Sequence, residues 1–373
     1  MSTQATPEVK QADFAGVDSQ ARGAHVDQPA PALKKQAPKA GPTTLAASLN
    51  TALADAMAAD PSMVVFGEDV GKLGGVFRIT DGLQDRFGQE RCFDTPLAES
   101  GIAGMAVGMA MNGMRPVVEM QFDAFAYPSL EQVFSHIAKM HNRTMGKVRL
   151  PITIRIPYAG GVGGVEHHCD SSEGYYAHTP GLKVFTPSGV EDAYLMLREA
   201  IASDDPVIFF EPKSMYWSKE EADLGALRES YEAGDAERTE GTARVVRPGK
   251  DATLIAYGPS VPTAFAAAEV AAAEGLDLEV LDLRTIVPLD DAAIDASVRK
   301  TGRAIVIAQS QGFASVASEL VARVQERNFH SLSSPVLRVT GFDIPFPAPK
   351  LEKHQIPSVD RILDAVDALT WED

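Results

Sequence analysis

An α/β fold with parallel sheets covered on both faces is predicted by three features of the sequence. Helix-periodic and strand-like segments alternate from Thr43 onward. Among the strand-like segments "LPITIRIPY" (150–158) is β-branched, "PVIFFEPK" (206–213) looks like one buried strand, and apolar runs such as "MVVFG" are those of strands buried on both faces. The alternation also runs twice, interrupted by a charged stretch between about Lys213 and Lys250, so two α/β domains are expected, 43–235 and 236–373.

Taken in order, residues 1–42 are rich in Ala, Pro, Gln and Lys without apolar periodicity and read as a disordered tail. The tail has no signal-peptide apolar region, and Glu8, Asp13, Asp18 and Asp27 spoil a transit-peptide composition. "LAASLNTALADAMAAD" has helical spacing, and "MVVFGEDV" is a short buried strand that ends in acidic residues. "TPLAESGIAGMAVGMAMNGM" (95–114) reads as a helix opened by Thr95 and Pro96 and buried by its small apolar side chains. "PVVEMQF", "LPITIRIPY", "LKVFTPS" and "PVIFFEPK" each read as one strand, and "LEQVFSHIAKMHNR" as an amphipathic helix. The segment "SKEEADLGALRESYEAGDAERTEG" loses its apolar strands and reads as a linker with an edge hairpin at most. The second series comprises "ATLIAYG", an Ala-rich helix from Val261, "LEVLDLRTIVP", "RAIVIAQS", the helix "ASELVARVQER" and "PVLRVTG".

Composition narrows the function classes. Of 373 residues, 45% are hydrophobic and 23% charged, ordinary for a globular protein, and no apolar run reaches bilayer length. Fifty-one acidic against 34 basic residues give a formal charge of −17, which argues against nucleic acid or an anionic membrane as partner. Two cysteines, Cys92 and Cys169, make no disulfide framework, so a cytoplasmic location is expected. G-x-G-x-x-G, the P-loop, the G-x-S-x-G elbow and zinc-spaced cysteine pairs are all missing.

Two polar constellations remain. Glu99 lies in the first turn of the 95–114 helix, where a carboxylate gains roughly 0.3–1 kcal/mol from the helix dipole. With Thr95 as N-cap, however, the reciprocal capping-box position is Ala98, so Glu99 points elsewhere. Burial would raise its pKa, and such tuned carboxylates concentrate at active sites. The second constellation is "YAGGVGGVEHHCDSSEGYYAHTPG", a glycine-rich loop around His167 and His168. Adjacent histidines point in different directions and rarely chelate one ion, so a metal site is disfavoured there.

"FGEDVG", "GGVFRIT", "FDTPLAESGIAGMAVGMA", "EMQFDAFAYPSLEQ", "HTPGLKVFTPS", "PVIFFEPK" and "LDLRTIVPLD" occur in one order. Together they resemble the β subunit of the E1 component of 2-oxo acid dehydrogenase complexes, over essentially everything from Thr43 onward. The resemblance implies a transketolase-like pyrimidine-binding domain followed by a transketolase C-terminal domain. It implies that Glu99 hydrogen-bonds N1′ of the aminopyrimidine of thiamine diphosphate, with Leu97, Gln121 and Phe125 lining that pocket. Many relatives have Tyr in place of Phe125, which keeps the stacking and loses a hydroxyl. The resemblance aligns His168 with the histidine used in acyl transfer to a lipoyl group, with His178 ordering the loop. Cys169 and Asp170 stand where relatives often have Ser-Gln, and the added carboxylate of Asp170 is expected to raise the His168 pKa. It also implies a potassium ion at Leu150, Ile152, Thr153, Ala200, Ser203 and Asp205.

The chain has neither the Gly-Asp-Gly nor the Asn-Asn that anchors Mg2+ and the diphosphate in thiamine diphosphate enzymes. The resemblance therefore implies an α subunit that holds Mg2+, an α2β2 heterotetramer, and an E2 lipoyl acyltransferase as acyl acceptor. The implied substrate is a 2-oxo acid, branched-chain by preference, with pyruvate or acetoin dehydrogenase as the near alternative. A non-catalytic β-like scaffold is the reading from another class. Ala308 and Gln309, in place of a His-Glu pair common in relatives, leave the C-terminal contacts of that segment open.

Overall fold

The computed structural model describes residues 40–369, so the tail expected over 1–42 falls almost wholly outside them. Two sheets carry the fold. The first has seven strands, in the spatial order Thr285–Val287, Lys183–Phe185, Val207–Pro212, Thr153–Tyr158, Arg115–Glu119, Met63–Gly67 and Cys92–Asp94. All its pairings are parallel except that of Thr285–Val287 with Lys183–Phe185. The second has five, in the order Leu337–Gly341, Ala304–Gln311, Ala252–Ala256, Leu278–Asp282 and Arg244–Arg247, the last antiparallel at the edge. The parallel α/β architecture read from the apolar runs is the observed one.

Helices cover both faces of the first sheet. Leu45–Ala59 and Val190–Ala202 pack on one side, burying Leu49, Leu53, Met57, Tyr194 and Leu197. On the other side, Ile102, Ala103 and Ala106 of the Glu99–Met111 helix join Val118, Ile154 and Phe210 in a core that continues into Ile255, Leu281 and Leu320 of the second half. The second sheet closes its far face with Ser260–Ala273 and Val359–Asp367. Among the described residues no helix is long and apolar enough to cross a membrane.

Five expectations need correction. The Glu99 helix begins at Glu99 with Ala98 as N-cap and no capping side chain, so Thr95 is not its cap. The Thr95 amide instead donates to Gly67 O at 2.9 Å, which prolongs the Cys92–Asp94 ladder and keeps the chain extended through Pro96. Nor is the helix buried all round, since Gly101, Gly108 and Met111 are exposed. The stretch read as a linker is structured: Lys219–Ala222 pairs with Gly41–Thr44, Leu224–Ala233 is a helix capped by Asp223, and Arg244–Arg247 is an edge strand. "LEVLDLRTIVP" divides between the two sheets at Arg284, whose φ of +57° turns the chain. Finally, "LEQVFSHIAKMHNR" is wound as a π segment, Gln132–Ile137, followed by a short α turn, Met140–Arg143.

Candidate functional site

The chemistry-bearing residues share one place in the fold, the carboxyl edge of the seven-stranded sheet. Glu68 and Asp69 follow Met63–Gly67, the Glu99 helix follows Cys92–Asp94, and Gln121 to Phe125 follow Arg115–Glu119. The histidine loop follows Thr153–Tyr158, and Lys213 follows Val207–Pro212. In open parallel sheets ligands bind at that edge, because the loops there are free to diverge and the buried strands behind them are rigid.

Beneath this edge three neighbouring strands are tied by charge. Arg155 is fully buried and forks onto Glu211 with bonds of 2.6 and 3.0 Å, while its third nitrogen donates to Glu119 at 2.6 Å. The Tyr216 hydroxyl donates to Glu211 at 2.6 Å. Burial by itself would lower the Arg155 pKa; Glu211 and Glu119 overcome that and hold the guanidinium charged. The network fixes the ends of the strands from which Gln121, the histidine loop and Lys213 depart.

The acidic part of the site differs from expectation. Glu99 is half-buried at the start of its helix, and the carboxyl that burial raises is Glu68. Glu68 is 5% exposed, its Oε1 has no hydrogen-bond partner among the described residues, and its pKa is pushed up to about 7. Desolvation is the largest cause, followed by the nearby charges of Glu99 and Asp69. Sequence reasoning missed Glu68 because an acidic residue after a strand reads as a solvated loop. The usable signal was "FGED", two carboxylates directly after a fully apolar strand. Gln121 donates to Asp69 Oδ2 at 3.0 Å, and Asp69 itself has φ of +59°. Leu97 is 80% exposed, so within this chain it packs on nothing and can contribute to a pocket only as one open wall.

A carboxyl whose pKa rises on folding holds its proton more tightly in the native state, so stability falls as pH rises between the two values. For Glu68 the window runs from 4.5 to about 7. Glu68→Gln is expected to remove that slope, its stability relative to wild type increasing across the window and levelling above it. Urea unfolding at a series of pH values measures this, and a constant difference between the two proteins would contradict it.

The aromatic part joins the two constellations. The Phe122 ring meets His168 edge-on with centroids 4.6 Å apart, and Phe125 meets His168 at 5.2 Å and His167 at 6.2 Å. Phe125 and His168 therefore come together with Phe122, which follows Gln121 in the chain, and His168 is half-buried while His167 is exposed. The pKa of His168 is lowered, by desolvation first and then by His167 and Lys213. This corrects the expectation that Asp170 raises it. The Asp170 carboxylate accepts the Tyr127 hydroxyl at 2.7 Å, and the charges that act on His168 are those of His167 first and then Lys213. Lys213 is 2% exposed, its Nζ stands 5.8 Å from the Phe122 centroid, and it has no hydrogen-bond partner among the described residues. Burial pushes its pKa down, against the carboxylates of Asp123, Asp170 and Glu352. Cys169 is buried, which pushes its thiol up to about 11 and leaves it inert as a nucleophile at neutral pH. His178 is exposed at the end of the short Glu173–Ala177 helix, so its ring does not order the loop from within.

The six oxygens expected to hold potassium lie at the opposite corner of the sheet. Thr153 Oγ1 donates to Ala200 O at 3.1 Å, and Leu150 O accepts the Ile152 amide at 2.8 Å. Ser203 O accepts Arg115 at 2.7 Å, and its hydroxyl accepts Lys183 at 3.1 Å and the Asp205 amide at 3.1 Å. Arg115 thus lies on the Ser203 carbonyl and Lys183 on its hydroxyl. Among the described residues no group of three or more His, Cys, Asp or Glu side chains is arranged to hold a metal.

Residues 42–218 match the family of the transketolase pyrimidine-binding domain, and residues 241–362 that of the transketolase C-terminal domain. The chain is 51% identical over 338 residues to the pyruvate dehydrogenase E1 component subunit beta of Leifsonia xyli subsp. xyli, covering 91% of this chain and 98% of that one. The chain belongs to the E1 β-subunit family of 2-oxo acid dehydrogenases. It is also 49% identical over 325 residues to the 3-methyl-2-oxobutanoate dehydrogenase subunit beta of Mycobacterium tuberculosis, covering 87% and 91%. A solved split-gene transketolase, an inactive β4 tetramer, superposes with a TM-score of 0.71 at 21% identity over 88% of this chain and 98% of that one, a likeness of fold. The family uses thiamine diphosphate, and the two named relatives differ in substrate.

Proposed function

We propose that this chain forms the pyrimidine half of a thiamine diphosphate site, completed by an E1 α subunit in an α2β2 heterotetramer. The domains proposed for it are the expected ones, 43–235 and 236–373. One observation carries the reading. Glu99 and Gln121 stand at the open carboxyl edge beside Glu68, a buried carboxyl with an orphaned oxygen, and among the described residues no group of three or more His, Cys, Asp or Glu side chains is arranged to hold a metal. Bound there, the cofactor would supply the carbanion-stabilising chemistry of 2-oxo acid decarboxylation. Glu99 would hold N1′ and pass a proton to and from it, and Gln121 and Phe125 would orient the pyrimidine. Leu97, exposed here, would be covered by cofactor and partner together. The proton inventory of the site is larger than one carboxyl, because Glu68 takes up or gives a proton near neutrality when the charge on Glu99 changes. Mg2+ would be held by the α subunit.

His168 is proposed to serve acyl transfer to a lipoyl group on the E2 acyltransferase. When the S–S bond of the lipoyl dithiolane opens, one sulfur bonds the acyl carbon and the other leaves as a thiolate that takes a proton; the lowered pKa of His168 makes its protonated ring a readier donor of that proton than a free imidazolium. His168→Ala should spare decarboxylation read with an artificial electron acceptor and slow lipoyl acylation by about 10²–10⁴-fold. Equal loss in both assays would remove the role. The substrate proposed is a branched-chain 2-oxo acid, and the location proposed is the cytoplasm. A panel of 3-methyl-2-oxobutanoate, pyruvate and longer oxo acids on the reconstituted α/β enzyme tests the choice, and highest kcat/KM for pyruvate would reverse it.

A further inference from the structure

The loop bearing His167 and His168 is held from the other half of the chain. Glu352 opens a short helix, Glu352–Gln355, beyond the last strand of the second sheet. Its Oε1 accepts the Gly161 amide at 2.6 Å, and its Oε2 accepts the Gly163 amide at 3.1 Å. Gln309, at the end of Ala304–Gln311, accepts the Gly160 amide through Oε1 at 3.2 Å. Three amides of one glycine-rich segment are therefore received by two side chains of the C-terminal half. A carboxylate taking two backbone N–H groups makes charge-assisted bonds, stronger than neutral ones.

Packing makes the seat specific. A Cβ at Gly160 would stand 2.5 Å from the Phe346 ring and 2.9 Å from Ile356, so the bare backbone lies directly on the C-terminal segment. Gly161 and Gly163 have φ of +94° and +69°, conformations that L side chains rarely adopt. The stem is closed by the Ala159 amide on Asp170 O at 2.7 Å, and the histidine turn by the His168 amide on Val165 O at 2.8 Å. Displacing residues 160–163 would therefore displace His168, while Glu99, Glu68 and Gln121 depart from other strands.

We propose that Glu352 and Gln309 are positioning residues for acyl transfer, clamping the glycine segment so that His168 is presented to its acyl acceptor. The functional half of this rests on the role given to His168 above. It also gives Gln309, a departure from the His-Glu pair of relatives, a defined task.

The test uses the reconstituted α/β enzyme with a lipoyl domain. In Glu352→Ala, lipoyl acylation should fall by roughly 10- to 100-fold, chiefly in kcat, with decarboxylation to an artificial acceptor within about twofold of wild type. Amide exchange of the 159–164 segment should quicken. Glu352→Gln, which keeps an acceptor oxygen, should recover most of both, and Gln309→Ala should show a smaller change in the same direction without removing the charged anchor. Unchanged exchange in Glu352→Ala would overturn the clamp. Quickened exchange with equal loss in both assays would overturn the selective positioning role, and no recovery in Glu352→Gln would overturn its hydrogen-bond basis. Full lipoyl acylation in His168→Ala would instead overturn the reading of His168, whatever the exchange data show.

Discussion

Glu99→Gln in the reconstituted α/β enzyme is expected to lower 2-oxo acid decarboxylation by about 10²–10⁴-fold, the range spanned by a positioned proton-transfer group. The amide matches the carboxylate in size and still accepts a hydrogen bond, so the helix start, already without a side-chain cap, should be undisturbed. What it cannot do is take and return a proton at a ring nitrogen. The substitution also has a second signature. Glu99 is one of the charges that raise Glu68, so its neutralisation should bring the Glu68 pKa down from about 7. Decarboxylation measured with an artificial electron acceptor, together with carboxyl titration of Glu68 by NMR, reads both effects. Wild-type turnover in the variant would end the assignment of Glu99.

Arg155→Met should cost about 3–5 kcal/mol of stability, because removing one partner of a buried ionic network leaves the others charged and uncompensated. Glu119 and Glu211 are 4% and 0% exposed, and neither can turn to water without breaking its strand. The Tyr216 hydroxyl would remain on Glu211, which satisfies one lone pair and leaves the charge. Adding Glu119→Gln and Glu211→Gln to Arg155→Met should return a substantial part of the loss by removing both stranded charges. Urea unfolding of the purified chain and its variants gives the numbers, and a loss under about 1 kcal/mol for Arg155→Met would show that the network contributes little. Because the three strands carry Gln121, the histidine loop and Lys213 at their ends, the variant should also bind cofactor less well when paired with its α subunit.

Much of the fold was legible because burial on both faces writes itself into composition. A run such as "MVVFG" has no polar face to offer, so a parallel sheet between helices follows from it. Boundaries were less legible where long-range bonds decide them. Thr95 has the chemistry of an N-cap, but its amide is taken by Gly67, which local sequence does not encode. The charged stretch after Lys213 was read as a linker because its strands sit at sheet edges, where one side faces solvent and the apolar run is lost. At the carboxyl edge Glu99 and His168 stood out by residue type and Gln121 and Phe125 through the resemblance, whereas Glu68, Lys213 and Glu352 did not stand out at all. Their significance is environmental: an acid becomes unusual only when buried, a lysine only when unpaired, and a glutamate only when a loop from the other half meets it.

By itself the sequence determined the layer architecture, the family and the residue types at the carboxyl edge, since these depend on local apolarity and on motifs contiguous in the chain. Tertiary structure decided which carboxyl is desolvated, which charges His168 senses, and what holds the histidine loop. Those depend on distances between residues as far apart as Gly161 and Glu352, and electrostatic and hydrogen-bond energies follow separation in space rather than along the chain.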